Sequence, residues 1–129
     1  MRTLLCIICS AWLCSLSYEA ASAERLSSDE IVKLLKGATV ETTVGLKDWP
    51  QFMTFRPDGT AAGKMERGRR TDEDNGKWRI KKDGRFCLQW EDWKRGEEKC
   101  SFLELGKDGK TIKRTKKDGT PRRRDWVIK

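Results

Sequence analysis

Hydrophobic and polar residues alternate through most of the chain beyond residue 37, which is typical of β-strands that bury one face. Before that point the apolar spacing is helical instead. One apolar stripe is formed by Ile31, Leu34 and Leu35. Ser27 and Glu30 make a capping box at its start, and Gly37 is suited to ending the helix. The pattern therefore predicts a helix over 28–36.

Four Asp-Gly pairs separate the alternating segments. They stand at 58–59, 83–84, 108–109 and 118–119. Asp-Gly suits both a two-residue hairpin loop and a three-residue loop with a left-handed glycine. The three-residue loop is favoured because it places Trp78 and Ile80 on the same sheet face as Phe86. A two-residue loop would mix the two faces.

The candidate strands are 39–44, 51–56, 60–66, 77–82, 85–91, 98–105, 110–116 and 122–128. Their order predicts a mainly β (α+β) fold, an antiparallel up-and-down meander of about seven or eight strands. The sheet should be curved or barrel-like, with the single N-terminal helix packed on one face or plugging one end. The third hairpin alternates less regularly than the others, and the last strand has the weakest pattern.

The first 23 residues differ in character from the rest. A basic start at Arg2 precedes an apolar run over 4–16, which is too short to span a bilayer. Ala21-Ser22-Ala23 has the small-x-small form of a cleavage site. The segment 1–23 is therefore predicted to be a signal peptide, followed by one domain over 24–129. Such a protein would be periplasmic or secreted, with no transmembrane segment in the mature chain.

Export would also remove three of the five cysteines and leave Cys87 and Cys100. An oxidising compartment favours a disulfide between them over two buried thiols. On the predicted strands the two residues lie on adjacent strands, near the surface, on the sheet face opposite the tryptophan cluster. The bond would close a loop of about 14 residues, which the chain-entropy model values at about 3 kcal/mol.

The residue inventory argues against an enzyme. The chain has no histidine, and its one tyrosine, Tyr18, lies in the signal segment. With both remaining cysteines oxidised, a Ser-His or Cys-His pair cannot be built. Four carboxylates flank the basic turn at Lys94 and Arg95: Glu91, Asp92, Glu97 and Glu98. Next to so many cations they are expected to form solvated ion pairs.

The acidic stretch 72–76 has some likeness to a calcium-binding loop. Its glycine, Gly76, stands at the fifth position rather than the sixth, and Asp83 occupies the twelfth, where a glutamate is required. The stretch is expected to be an acidic turn before a strand. No metal site and no cofactor are predicted.

Positive charge is the strongest deviation from an average composition. The chain has a net charge of +8, and residues 107–129 contain ten Lys/Arg against three Asp. Seven of these cations form a candidate anion-binding ribbon on the last two strands: Lys113, Arg114, Lys116, Lys117, Arg122, Arg123 and Arg124. Like charges facing one another across paired strands are destabilising, so an anionic partner would stabilise this basic ribbon. The alternative is a surface that protects a sheet edge and keeps the protein soluble.

Three functions are compatible with these features. The preferred one is a small exported, non-enzymatic binding protein that presents the basic ribbon to an anionic envelope or host component, such as a lipid headgroup or an acidic glycan. The second is a protein-partner role, such as a periplasmic inhibitor or a secreted effector with an acidic partner. The third is a carrier of a small apolar ligand. It is disfavoured because 31 apolar residues with five tryptophans are expected to fill the interior of the mature domain.

Two further partner features follow from the same residues. Trp93, next to the basic turn, is a candidate for stacking on a sugar or a base, although such a tryptophan more often covers the end of a small core. Nucleic acid is the least favoured anion, because export places the protein away from most of it. The oligomeric state is left open.

The chain order is a helix, a glycine, a Thr-Val strand, a Pro-Asp-Gly turn, a Gly-Lys-Trp strand and a Cys…Trp…Cys set. It resembles that of small exported proteins of uncharacterised proteobacterial families. The residues that carry the resemblance are Gly37, Thr39, Val40, 58–60, 76–80, Cys87, Trp90 and Cys100. The resemblance covers most of the mature chain and implies a bacterial, periplasmic or secreted protein. It carries no functional residues with it.

Overall fold

The strands form a closed antiparallel β-barrel in a computed structural model that describes residues 25–129. The elements are α1 (Ser28–Leu35), β1 (Thr39–Val44), β2 (Trp49–Phe55), β3 (Thr60–Arg67), β4 (Arg70–Ile80), β5 (Phe86–Trp90), a 3₁₀ turn (Trp93–Gly96), β6 (Lys99–Leu105), β7 (Thr111–Thr115) and β8 (Trp126–Ile128). The strands pair in sequence order, and β8 pairs back onto β1. The predicted mainly β meander with one N-terminal helix is confirmed. The predicted signal peptide, 1–23, lies outside the described residues.

Three of the four Asp-Gly hairpins have the predicted three-residue loop. In the first, the Arg56 N–H donates to the carbonyl of Thr60 (2.9 Å), and the loop glycine is left-handed at φ 89°. Asp58 Oδ1 accepts the Thr60 hydroxyl and also the Thr60 N–H (2.9 Å). These bonds hold the pKa of the Asp58 carboxyl below its usual range. The same backbone arrangement recurs at Asp83 and Asp118.

The third hairpin has a longer loop than the other three. The Gly106 N–H donates to the carbonyl of Thr111 (2.7 Å), which leaves residues 107–110 in the loop. Asp108 accepts the Thr111 hydroxyl (2.6 Å) and two backbone N–H groups, and these bonds lower the pKa of its carboxyl to about 2. On the strands that this loop joins, Leu103 and Ile112 are both fully buried in the core.

Helix α1 closes one end of the barrel. The Leu26 N–H donates to the carbonyl of Leu103 in β6 (2.7 Å), and Lys36 forms a bridge with Phe55 in β2. Because β2 and β6 are four strands apart in a ring of eight, the helix crosses the barrel end from one side to the other. Of the two predicted positions for the helix, plugging an end is the correct one. Within the described part of the chain, no helix is long and apolar enough to cross a membrane.

The predicted capping box is present at the start of α1. Ser27 Oγ accepts the N–H of Glu30 (3.3 Å), and a Glu30 carboxylate oxygen accepts the N–H of Ser27 (3.1 Å). We expect Ser27→Ala to lower the free energy of unfolding by about 1 kcal/mol, because a helix N–H loses its acceptor. Urea denaturation followed by circular dichroism would measure the change. Ser28→Ala is the matched control at the next exposed position, and an equal loss in both variants would contradict the role of the cap.

An aromatic cluster forms the core beside α1. The Phe55 ring packs edge-to-face on Phe86 (5.2 Å between centroids) and stacks on Trp126 (5.7 Å). Trp78 stacks on the other ring, Phe86, at 5.8 Å, and its indole N–H donates to the carbonyl of Arg56 (2.8 Å). The face assignment that favoured the three-residue loop is therefore confirmed.

Strand β4 begins well before the predicted 77. The acidic stretch 72–76, expected to be a turn, belongs to this strand and is paired throughout with β3. The turn is instead at Gly68, which is left-handed at φ 60°. The inward positions of the stretch are Asp74 and Gly76, both buried, so the apolar alternation that marks the other strands is missing here. The prediction of an acidic turn is wrong for this reason.

The last strand is shorter than predicted. The predicted strand 122–128 forms only over Trp126–Ile128.

The Cys87–Cys100 disulfide joins β5 and β6, and its two residues are directly paired in the sheet register. The predicted cross-strand bond is confirmed. Cys87 is fully buried, although it alternates with the core residues of β5. Arg79 is paired opposite Cys87, and its ion-pair partner Glu98 (2.6 Å) lies 3.8 Å from Cys100 Sγ. The bond is therefore better shielded than the near-surface position that the sequence predicted.

Candidate anion-binding cavity

The barrel contains a cavity of about 580 Å³ that opens between three connections. These are the β1–β2 turn at Gly45 and Leu46, the β5–β6 turn at Lys94, and the β7–β8 connection over 121–124. No residue of α1, which is described in full, lines it. The expectation of a filled interior therefore fails at the end where this cavity lies, whereas the aromatic core next to α1 is filled.

The interior is open because its five tryptophans are spread around the barrel. Trp49 starts β2 and is half-buried, and Trp78 packs on Phe86 outside the cavity lining. Of the five, Trp90 and Trp126 line the cavity. Polar residues rather than large apolar ones occupy other inward positions that line the cavity: Thr42, Gln51 and Ser101. The number of apolar residues therefore predicted a more completely filled interior than the structure has.

Trp93 packs against the wall of the barrel. Its ring lies 4.9 Å from that of Trp90, edge-to-face, and both rings pack against Gly63. The side chain is half-buried. Trp93 thus has the arrangement of a tryptophan that covers a core, which was the alternative to a stacking role.

Arg114 is a cation held inside the barrel. It is paired with Leu103 in the sheet, and its guanidinium carbon lies 4.8 Å from the centroid of the Trp126 ring. Nη2 donates to the carbonyl of Arg124 (2.8 Å), whereas Nε is buried and has no hydrogen-bond partner among residues 25–129. No carboxylate in that part of the chain forms an ion pair with Arg114.

The electrostatic state of Arg114 follows from this position. Burial, and secondarily the charge of Arg122, lowers the pKa of Arg114 to about 10, against a smaller opposing effect of Asp125. The group is therefore still charged at neutral pH, but in a site that destabilises the charge. An anion near Nε would supply both the missing acceptor and the missing counter-charge.

Arg122 is held beside Arg114 by strand β6. Its backbone N–H donates to the carbonyl of Arg114 (2.8 Å). Its guanidinium donates to the Ser101 hydroxyl and, through Nη2, to the carbonyl of Cys100 (2.9 Å). Burial lowers the pKa of this guanidinium as well. Two fixed groups of like charge thus lie near each other, and an anion close to both would be stabilised by each.

Arg124 has a structural role at the cavity opening. Its Nη1 donates to Asp48 and to the Thr43 hydroxyl, and its Nη2 donates to the carbonyl of Gly45 (2.6 Å). The Asp48 carboxylate compensates the charge of Arg124. The backbone of Asp48 is left-handed, at φ 53°. Arg124 therefore fixes the β1–β2 turn.

The structure divides the seven residues of the basic ribbon into two groups. Those that line the cavity are Arg114, Lys116, Arg122, Arg123 and Arg124. Lys113 and Lys117 are exposed and lie outside its lining. Arg114 follows the fully buried Ile112 by two residues on β7, and this period of two was a signal that the sequence contained.

Two cations of the cavity lining, Lys94 and Lys99, were not predicted from the sequence. They approach the other lining cations only because the barrel closes, and no local sequence pattern indicates this approach. With them the lining holds seven lysines and arginines against a single carboxylate, Glu97. Glu97 is already paired with Lys99 (2.9 Å). The cavity therefore carries a large excess of positive charge.

A strained turn brings Lys94 to the opening. Lys94 and Arg95 are both left-handed, at φ 56° and 59°, a conformation that is costly for residues with a side chain. The buried carboxylate of Asp74 holds the start of this turn, since its Oδ2 accepts the N–H groups of Asp92 (3.0 Å) and Trp93 (2.9 Å). Strain of this kind is concentrated at functional sites.

Two of the four carboxylates considered for catalysis form the expected ion pairs, Glu97 with Lys99 and Glu98 with Arg79. Glu98 accepts two bonds from Arg79 (2.6 and 2.8 Å), and these bonds lower the pKa of the Glu98 carboxyl. One Glu98 oxygen lies within 4.8 Å of both cysteine sulfurs. Those sulfurs are bonded to each other, so neither is a thiolate ligand.

The described residues thus form an eight-stranded barrel that a helix plugs at one end, with a cationic opening to its cavity. Compared with protein-family models, curated proteins and solved structures, the chain has no match in any of the three.

Proposed function

We propose that this protein is an exported, non-enzymatic binding protein that holds an anionic ligand in its barrel cavity. The observation that carries the proposal is Arg114, whose buried Nε has no partner among residues 25–129. A buried cation is destabilising until it is paired. A carboxylate or phosphate oxygen would pair it with a charge-assisted hydrogen bond.

Export to the periplasm or the outside is part of the proposal. It is supported by the signal-like segment 1–23, by the Cys87–Cys100 bond and by the resemblance to small exported proteobacterial proteins. The ligand would then come from an anionic envelope or host component, of which lipid headgroups and acidic glycans are the main classes.

Binding is assigned to the cavity rather than to the whole basic ribbon. Arg122 and Arg124 are already bonded to neighbouring loops and strands, so substituting them would disturb the fold as well as the charge. Lys113 is exposed, where a single charge contributes little and is screened by salt. Arg114 lines the cavity and makes a single side-chain hydrogen bond within the described residues, to the carbonyl of Arg124, so its replacement disturbs the fold least.

Replacing Arg114 by methionine should weaken anion binding about tenfold or more, because the side chain keeps an unbranched apolar stem but loses its charged donor. The same change should raise the melting temperature of the free protein, since it removes an unpaired buried cation. Lys113→Met is the matched control: it is the neighbouring residue and changes the net charge equally. Calorimetric titration with inorganic phosphate and with a soluble acidic glycan, at low and high salt, would measure both affinities.

Two outcomes would contradict the proposal. Equal weakening by Arg114→Met and Lys113→Met would mean that binding depends on overall charge rather than on the cavity. Retention of an acidic protein, with no binding of phosphate or glycan, would favour the inhibitor or effector function instead.

A further inference from the structure

We infer that the ligand is a single-chain amphiphile with an anionic headgroup, held with the headgroup at Arg114 and the chain inside the barrel. The inference rests on the proposed function and adds the class of ligand. It is drawn from how the cavity lining changes with depth.

The lining is cationic at the opening and apolar inside. Lys94, Lys116 and Arg123 are exposed at the opening. The floor is formed by Met53, Phe86, Leu88, Trp90, Leu103 and Trp126. None of these is more than 8% exposed, so they present only a small part of their surface to the cavity. Arg114 lies at the boundary, because it pairs with Leu103 and its guanidinium lies over Trp126. A ligand that matches both zones has one charged end and one apolar part.

The polar side chains of the inner lining are largely bonded within the protein. The Thr42 hydroxyl donates to the carbonyl of Asp125 (2.9 Å), and the Ser101 hydroxyl accepts from Arg122. In the described chain, the buried Gln51 makes no such side-chain bond, so its amide is available to a ligand. Apolar contact is offered by the side chains of the floor.

The volume favours a molecule larger than an inorganic ion. About 580 Å³ lies within the range of roughly 300–1,000 Å³ that is typical of small-molecule sites, and an isolated phosphate would leave most of it empty. An eight-stranded barrel is also of the size that holds one small ligand. An alkyl chain would fill the space that a phosphate leaves.

Electrostatics sets the orientation of such a ligand. Helix α1 plugs one end of the barrel, and the cavity opens among cations. A headgroup carried past Arg114 onto the apolar floor would lose its hydration and gain no counter-charge. The chain therefore goes in first, and the charge stays at Arg114.

Titration with straight-chain alkanoates of increasing length, kept below their micelle concentrations, tests the inference on the purified, oxidised protein. Trp90 and Trp126 line the cavity, so tryptophan fluorescence can report binding. Affinity should rise about fourfold for each added methylene until the cavity is full. 1-Decanol, which has the chain without the charge, should bind about tenfold more weakly than decanoate. Arg114→Met should abolish this difference and still bind decanol, which also shows that the variant is folded.

Arg114→Lys is the second variant. It keeps the charge but loses the planar guanidinium, so its affinity for decanoate should lie between those of the wild type and Arg114→Met. An affinity no higher than that of Arg114→Met would overturn the placement of the headgroup.

The remaining outcomes separate the inference from the proposed function. Binding of phosphate, with no dependence on alkanoate chain length, would overturn the amphiphile and leave the anion-binding function standing. Equal affinity for decanol and decanoate would overturn both, because the charge would then contribute nothing. The absence of binding by phosphate and by every alkanoate would overturn both as well.

Discussion

Removing the Cys87–Cys100 disulfide should lower the free energy of unfolding by about 3 kcal/mol and the melting temperature by about 12 °C or more. The bond spans 13 positions and so restricts the unfolded chain. It also joins β5 and β6, whose register contains only three residue pairs. Because Cys87 is fully buried, Cys87→Ala with Cys100→Ser avoids placing a hydroxyl in its site. Differential scanning calorimetry would measure the difference.

Chemical reduction of the wild type is the control for this variant. In dithiothreitol the wild type should melt close to the temperature of the double variant, whose own melting should not respond to the reductant. If the reduced wild type had two titratable thiols and an unchanged melting temperature, the disulfide would not be what holds the barrel together.

Replacing Gly63 by alanine should cost about 2–3 kcal/mol, because an interior that is closely packed at this point has no room for a methyl group. A Cβ at Gly63 would lie 2.4 Å from the Trp93 ring and 2.7 Å from the Trp90 ring. Both rings also pack on each other, so neither can move away without disturbing its neighbour. Denaturant unfolding of the wild type and of Gly63→Ala would measure the loss.

Two comparisons identify the cause of that loss. Lys64→Ala changes the adjacent exposed residue of β3 and should alter stability by no more than about 0.5 kcal/mol. Combining Gly63→Ala with Trp93→Leu should cost less than the sum of the two single changes, since the smaller side chain leaves space for the methyl group. Strict additivity would mean that the methyl group does not meet Trp93.

The elements that the sequence predicted correctly are those built from local contacts. The capping box needs only Ser27 and Glu30, and each of the three Asp-Gly loops of the predicted length is fixed by an aspartate that accepts the N–H of a residue two positions on. The cross-strand disulfide followed from the loop geometry, because the face of Cys87 is set by the turn before it. Neighbouring residues contain enough information for all of these.

The parts that the sequence did not predict depend on contacts between distant segments. Strand β4 begins with charged residues, and its pairing with β3 is what extends it through 72–76. Asp74 holds a turn 18 and 19 positions away along the chain. The cavity needs Arg114 and Trp126 to face Phe86 across a closed barrel, and no local period specifies how much space remains between them. The basic ribbon was visible in the sequence, but among the cations that line the cavity only Arg114 had a local signal, its spacing of two from the buried Ile112.

The closure of the barrel by β1 and β8 also orders the events of folding. Val40 pairs with Ile128, and the Lys129 N–H donates to the carbonyl of Thr39 (2.9 Å). Contacts between such distant residues form more slowly than those of hairpins, because more chain entropy is lost before the contacts stabilise the fold. The hairpins and the disulfide can therefore form before the C-terminal residues join the barrel. The cavity, which takes part of its lining from 121–126, forms only with the last strand, and a chain stopped before β8 would lack it.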